Sequence, residues 1–237
     1  MRIPTHPFLR KKLGFYAGKE IPRVQSCGQP TRGPGRKPNI SPVNLQALPP
    51  DVQRKFEIVA NRNSISSEEL FIRNKALSHL IWEVIQIFEL NFRHFLNVEL
   101  SRLAKNQNWW LDAELIHKDH LLTTANPEKQ IQFLSFGFLS LLLSDRYHKK
   151  LWVSHLKGTL KSWVLPRRIL YRDLRILVRL RNRIAHHEII YNYPLEEIVK
   201  FAATLLSDIN SDASAAIIKN RYSERIHSIK LGSGGGI

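Results

Sequence analysis

Apolar side chains along this chain recur at helical spacing, and no credible strand alternation interrupts them. Between Ser67 and about Lys105, one stripe carries Leu77, Ile81, Ile85, Phe88, Phe92, Phe95, Leu96 and Leu103. The stripe predicts a helix longer than most globular helices, long enough to leave room for a kink or break. Ser66 or Ser67 is placed to cap it, with Glu68 and Glu69 in the first turn. Val52, Phe56 and Val59 share a side of a shorter helix over Asp51 to Ala60, and Asn61 to Ser67 is a polar break. A third stripe runs through Leu195, Ile198, Val199, Ala202, Leu205, Leu206 and Ile209, started by Pro194 with Glu196 and Glu197 in its first turn. Ser211 can then cap a last helix from Asp212 to about Ile226.

The middle of the chain is less regular. Asn106 to Asn108 ends the long helix, and Trp109 and Trp110 follow; adjacent tryptophans in a polar setting more often pack a loop on the core than stack on bases. Glu114 to Asn126 is weakly amphipathic, and Asn126-Pro127 marks a turn. Gln130 to Leu143 is apolar enough to predict a central buried helix, in which Gly137 lets another backbone approach closely. Leu151 to Trp163 is basic, with Trp152 and Trp163 as packing residues, and Leu165-Pro166 opens the next helix. The fold class is all-α, an antiparallel helical bundle.

The segment Arg167 to Ala185 sorts into two arcs when turned at roughly 100° per residue. Leu170, Leu174, Leu177, Leu180 and Ile184, with Ile169 and Ile176, form the apolar arc. Arg168, Arg172, Arg175 and Arg179 form the opposite arc, with Arg183 on its edge. Asn182 and His186, at i and i+4, share the arginine face. Arg181 falls beside Leu174 and Leu177, where a charge is costly unless paired. An imidazole at the end of an arginine stripe suggests phosphate chemistry; a solvated charged face with one snorkelling arginine fits the spacing equally well.

Charge enlarges that picture. The 237 residues carry 36 Lys+Arg against 20 Asp+Glu, a net charge of +16, which favours polyanions as partners. Residues 1–50 supply +8 of it, with nine prolines, five glycines and nine basic residues against Glu20 alone. That composition predicts a disordered basic tail. The predicted helical domain spans residues 51–228 and a flexible Gly-rich end spans 229–237. Cys27 is the single cysteine, which suits a reducing compartment and excludes cysteine nucleophile chemistry from the helical domain. No apolar run reaches a membrane span and no signal-peptide core follows the basic start, so the expected location is cytoplasmic, with no membrane partner.

Arg181-Asn182-x-x-x-His186, continued by His187-Glu188, resembles the Arg-x(4–6)-His signature of the HEPN superfamily. The string Leu180 to Glu188 is similar to its Abi-like, abortive-infection branch. Leu134 to Phe138, Arg146-Tyr147-His148 and Leu151-Trp152 resemble the family's central segment, and Ile87 to Arg93 resembles an early helix with a recurring Glu-x-x-x-Arg pair. The resemblance covers about Ser67 to Ser228. It implies an all-α HEPN bundle and a metal-independent endoribonuclease of an abortive-infection or toxin–antitoxin system, working as a homodimer on RNA, with an antitoxin protein as a further partner and no cofactor. In that reading Arg181 stabilises phosphate charge, His186 is the acid/base group, and Asn182 orients the phosphate or the imidazole. His187 is supporting or structural, since neighbouring helix positions point roughly 100° apart. Arg175, Arg179 and Arg183 contact RNA backbone. Glu89 either holds the Arg181 guanidinium or makes an ordinary i, i+4 pair with Arg93.

A metal is not expected: His186, His187 and Glu188 are consecutive and cannot all face one ion on a helix, and the i, i+4 histidine pair of metalloproteases is absent. The alternative function is a non-catalytic RNA-binding or regulatory HEPN module in a defence complex. A purely structural helical protein whose charge lies mostly in the tail is the third reading.

Overall fold

In this computed structural model the chain is described over residues 45–112, 114–117, 131, 134–161, 166–209 and 211–232. Among these residues the structure is helical and contains no strand. After a 3-10 turn at Leu45–Ala47 come α1 (Pro50–Asn63), α2 (Ser67–Ala104), a 3-10 turn at Trp109–Leu111 and α3 (Phe136–Leu141). A π-helix, His148–Leu156, passes into one α-turn, Lys157–Thr159, and the chain closes with α4 (Arg167–Ala185), α5 (Leu195–Asp208) and α6 (Asp212–Leu231). None of the described helices is long and apolar enough to cross a membrane.

The long helix α2 is the element the others pack on: α1, α4, α5 and α6 all lie against it. It runs 38 residues without a break. It contains no glycine or proline, and Leu70, Leu77, Ile81, Val84, Ile85, Phe88, Phe92, Leu96 and Leu100 bury its inner side along its length. Phe95 and Leu103, placed in the stripe by spacing, are only half-buried. Ser66 caps the start, its Oγ accepting from the Glu69 N–H at 3.1 Å. Glu99 is buried near the other end and takes two hydrogen bonds from the neighbouring Arg102, both 2.8 Å, with His155 Nε2 at 2.9 Å. The His155 contact ties the π-helix to α2. Trp109 and Trp110 are buried edge to face, with Trp109 Nε1 donating to Asn97 Oδ1 at 3.1 Å, so they pack the loop as expected.

Three expectations need correction. The apolar run Gln130 to Leu143 does not form one buried helix: only Phe136–Leu141 is α-helical among its described residues after Ile131. The Arg93 guanidinium on α2 donates to the carbonyls of Ile131 and Leu134, both at 2.6 Å, and Ser135 caps a new start. A Cβ on Gly137 would meet only Ser135 Oγ at 3.6 Å and Val178 at 3.9 Å, so no backbone approach requires the glycine. Ser211 does not cap α6; its hydroxyl donates to Asn91 Oδ1 at 3.1 Å.

The folded unit is wider than residues 51–228. Leu45 is buried with Phe56, Ala60 and Leu70, and α6 continues to Leu231, ending on Gly232 at φ 77° against the Arg73 guanidinium. Residues 1–44 and 233–237, Asn126-Pro127 and Trp163 lie outside the described residues.

Phe88 joins three helices: its ring is 5.6 Å from Phe92, 6.1 Å from Phe136 on α3 and 6.4 Å from Phe201 on α5, and it is wholly buried. Replacing Phe88 by Ala is expected to cost about 3–5 kcal/mol in urea unfolding, with the midpoint falling accordingly.

Candidate functional site

Helix α4 starts beside Pro166, and its first residue is an arginine turned inward. Arg167 is buried, donates to the Leu143 carbonyl at 2.5 Å and pairs with Asp145, so the start of α4 is pinned to the chain leaving α3. Leu170, Leu174, Ile176, Leu177, Val178, Leu180 and Ile184 form the buried side, close to the predicted arc, while Ile169 is half-buried. Asp173 is also buried there, accepting from Arg172 Nε at 2.7 Å. Burial pushes its carboxyl pKa up from the ordinary value, against the pull of the Arg172 hydrogen bond and charge.

On the outer side the arginines divide by partner. Arg172 is tied to Asp173, and Arg168 lies 3.9 Å from Asp145. Arg175 is half-buried, Arg179 is exposed, and neither has a hydrogen-bond or ion-pair partner among the described residues. The unpaired cations thus concentrate toward the C-terminal half of α4.

That end is closed by a Schellman motif. His186 caps it, its N–H donating to the Asn182 carbonyl at 3.0 Å; the His187 N–H donates to Ile184 at 3.0 Å and the Glu188 N–H to Arg183 at 2.8 Å. His187 occupies the left-handed position, φ 55°, which usually takes glycine. The departing strap is held from α2 by one buried amide. Asn74 Oδ1 accepts from the N–H groups of Ile190 at 2.7 Å and Tyr191 at 3.2 Å, and its Nδ2 donates to the Glu188 carbonyl at 3.4 Å.

Arg181, Asn182 and His186 therefore all stand exposed at one end of α4. Arg181 is not drawn into the apolar arc. It is exposed, and its guanidinium lies over the Trp82 indole of α2, 5.5 Å from the ring centroid. Glu89 is not its partner: Glu89 Oε1 takes Arg93 Nη2 at 2.6 Å, and Glu89 sits seven residues, about 10 Å, beyond Trp82 along α2. Arg183 is also not an open backbone contact. It pairs with Glu188 at 3.0 Å, donates to the Ile189 carbonyl at 3.3 Å and lies 5.5 Å over the Tyr193 ring, with its Nε buried and unpartnered. His187 is exposed and set by backbone geometry, consistent with a structural place rather than a second convergent imidazole.

Sequence reasoning missed Trp82 and Asn74. Asn74 left a signal: it stands four residues after Leu70 within an otherwise apolar stripe. Trp82 left none, since only the crossing of α2 and α4 brings it to Arg181. Among the described residues no three of His, Cys, Asp and Glu gather as a metal would require. The chemistry on offer is an open surface of guanidinium, amide and imidazole, suited to an extended polyanion better than to a small enclosed substrate.

Comparison of the chain with protein-family models, with curated proteins and with solved structures finds no match.

Because His187 holds a left-handed backbone, His187→Gly is expected to stabilise the protein by about 1 kcal/mol in urea unfolding. A loss of stability would show that the His187 side chain makes a contact worth more than the strain.

Proposed function

We propose that the chain is a metal-independent endoribonuclease of HEPN type, from the Abi-like branch, acting in an abortive-infection or toxin–antitoxin system. The observation that carries the reading is the placement of Arg181, Asn182 and His186: all three are exposed at one end of α4, with the unpaired Arg175 and Arg179 on the same helix. RNA supplies its own nucleophile, the 2′-hydroxyl, so cleavage needs a proton acceptor, a proton donor for the leaving 5′-oxygen, and positive charge at the phosphorus. His186 is the group that exchanges the proton. Arg181 gives planar donors to the phosphate oxygens, and Asn182 orients the phosphate or the imidazole. Arg175 and Arg179 hold the flanking backbone, a role Arg183 does not share because it is bound to Glu188.

A homodimer suits this chemistry. Arg181 and His186 lie roughly 140° apart by helical geometry, and a second copy facing the first supplies the second imidazole that an acid and base pair requires. RNA is the partner class this surface supports, and the cytoplasm is the compartment in which such an enzyme acts. The defence role and the antitoxin partner rest on the motif resemblance.

A second reading, a non-catalytic RNA-binding module, draws on the same unpaired arginines. Incubating RNA with the protein in excess EDTA separates the two. Cleavage is expected, with 2′,3′-cyclic phosphate ends and none on an all-deoxy substrate. His186→Ala and Arg181→Ala are each expected to lower the rate about 100-fold or more. Equal cleavage by the unmutated protein and His186→Ala would overturn the assignment, and salt-sensitive binding without cleavage would select the second reading.

A further inference from the structure

A guanidinium that is to receive a phosphate needs a fixed place and open donors. A carboxylate partner supplies the place but consumes the donors and cancels the charge. An aromatic face supplies the place alone: the cation lies on the ring, and its five N–H groups stay in the plane pointing outward.

The surroundings of Arg181 meet the second description. Its guanidinium carbon is 5.5 Å from the Trp82 centroid. Trp82 is half-buried on α2, and Arg181 is exposed. The nearby acids in sequence and fold are each engaged elsewhere. Glu83, next to Trp82, accepts from the Tyr222 hydroxyl at 2.9 Å on the α6 side. Glu89 is on Arg93, and Glu188 is on Arg183. Among the described residues Arg181 has no hydrogen-bond or ion-pair partner.

We propose that Trp82 is the positioning residue for Arg181, holding the guanidinium by a cation–π contact so that its donors face an RNA phosphodiester uncompensated. The proposal rests on the reading of Arg181 as the phosphate ligand. It adds a residue from a second helix to the site and explains how that ligand is ordered without being neutralised. Trp82 touches the arginine and need not touch the substrate.

The test uses the full chain and a single-stranded 2′-O-methyl RNA oligonucleotide, which binds without being cut, with affinity read by fluorescence anisotropy. Trp82→Leu is expected to weaken binding about fivefold, as loss of a cation–π contact would, while Trp82→Phe stays within about twofold. Arg181→Ala should weaken binding at least as much, and adding Trp82→Leu to it should cost nothing further. A second measurement needs no substitution: the Arg181 Nε–H proton resonance of the unmutated protein is expected upfield of the ordinary guanidinium position because of the indole ring current. A full additional loss in the double variant, unchanged binding by Trp82→Leu, or an Arg181 resonance at the ordinary position would each overturn the proposal. An all-ribose oligonucleotide run in parallel keeps the two ideas apart. Binding coupled through Trp82 without cleavage would end the nuclease reading and leave the Trp82 role standing, whereas cleavage lost in Arg181→Ala with additive Trp82 effects would do the reverse.

Discussion

One buried amide fixes the geometry of the candidate site. Asn74 spends both ends of its side chain on the strap that leaves α4, satisfying Ile190, Tyr191 and the Glu188 carbonyl. The Ile190 N–H is buried there, and left without a partner it would cost about 1–3 kcal/mol. With the strap held there, α4 must end abruptly, and the turn falls on His187 although glycine would take it at lower cost. The same turn brings Glu188 back to Arg183, so that arginine faces inward, while His186 at the cap faces out. The orientation of the motif is thus a consequence of a polar contact made from α2, more than of the motif's own spacing.

The many arginines of this chain fall into two classes that composition cannot separate. Arg73, Arg93, Arg102, Arg167, Arg172 and Arg183 are each bonded to a carboxylate, and Arg73, Arg93, Arg167 and Arg183 also bond backbone carbonyls. Arg73, Arg93, Arg167 and Arg183 fasten one segment to another, while Arg102 and Arg172 pair within their own helices. Arg175, Arg179 and Arg181 belong to the other class. Arg54 and Arg62 on α1 also lack a hydrogen-bond or ion-pair partner among the described residues, but the three on α4 share their helix with Asn182 and His186. A net charge of +16 therefore says little about where a polyanion would sit.

What the sequence made legible was local. The length of α2, its Ser66 cap, the apolar side of α5 and the packed tryptophans all follow from spacing, capping chemistry and residue type within a few positions. What it hid was set by distant partners. The apolar run before Leu143 is interrupted at Leu134 and Ser135, where Arg93, some forty positions earlier, holds the Leu134 carbonyl. Ser211 gives its hydroxyl to Asn91 instead of a helix start, and the boundaries of the folded unit move because Leu45 and Gly232 pack on residues of α1 and α2. The site divides in the same way. That Arg181, Asn182 and His186 share a helix end could be read from the motif. That Arg181 rests on Trp82 instead of pairing with Glu89 depends on the level at which α2 and α4 cross, which helical periodicity does not encode.

Chemical-shift mapping of the isotope-labelled full chain, titrated with the same non-cleavable oligonucleotide, tests most directly whether the exposed end of α4 is where phosphate binds. The largest changes are expected at Arg175, Arg179, Arg181, Asn182 and His186 and at the Trp82 indole N–H, with the Arg183–Glu188 pair little affected. Changes confined to residues 1–44 or to the basic residues of α6, with α4 silent, would contradict the account.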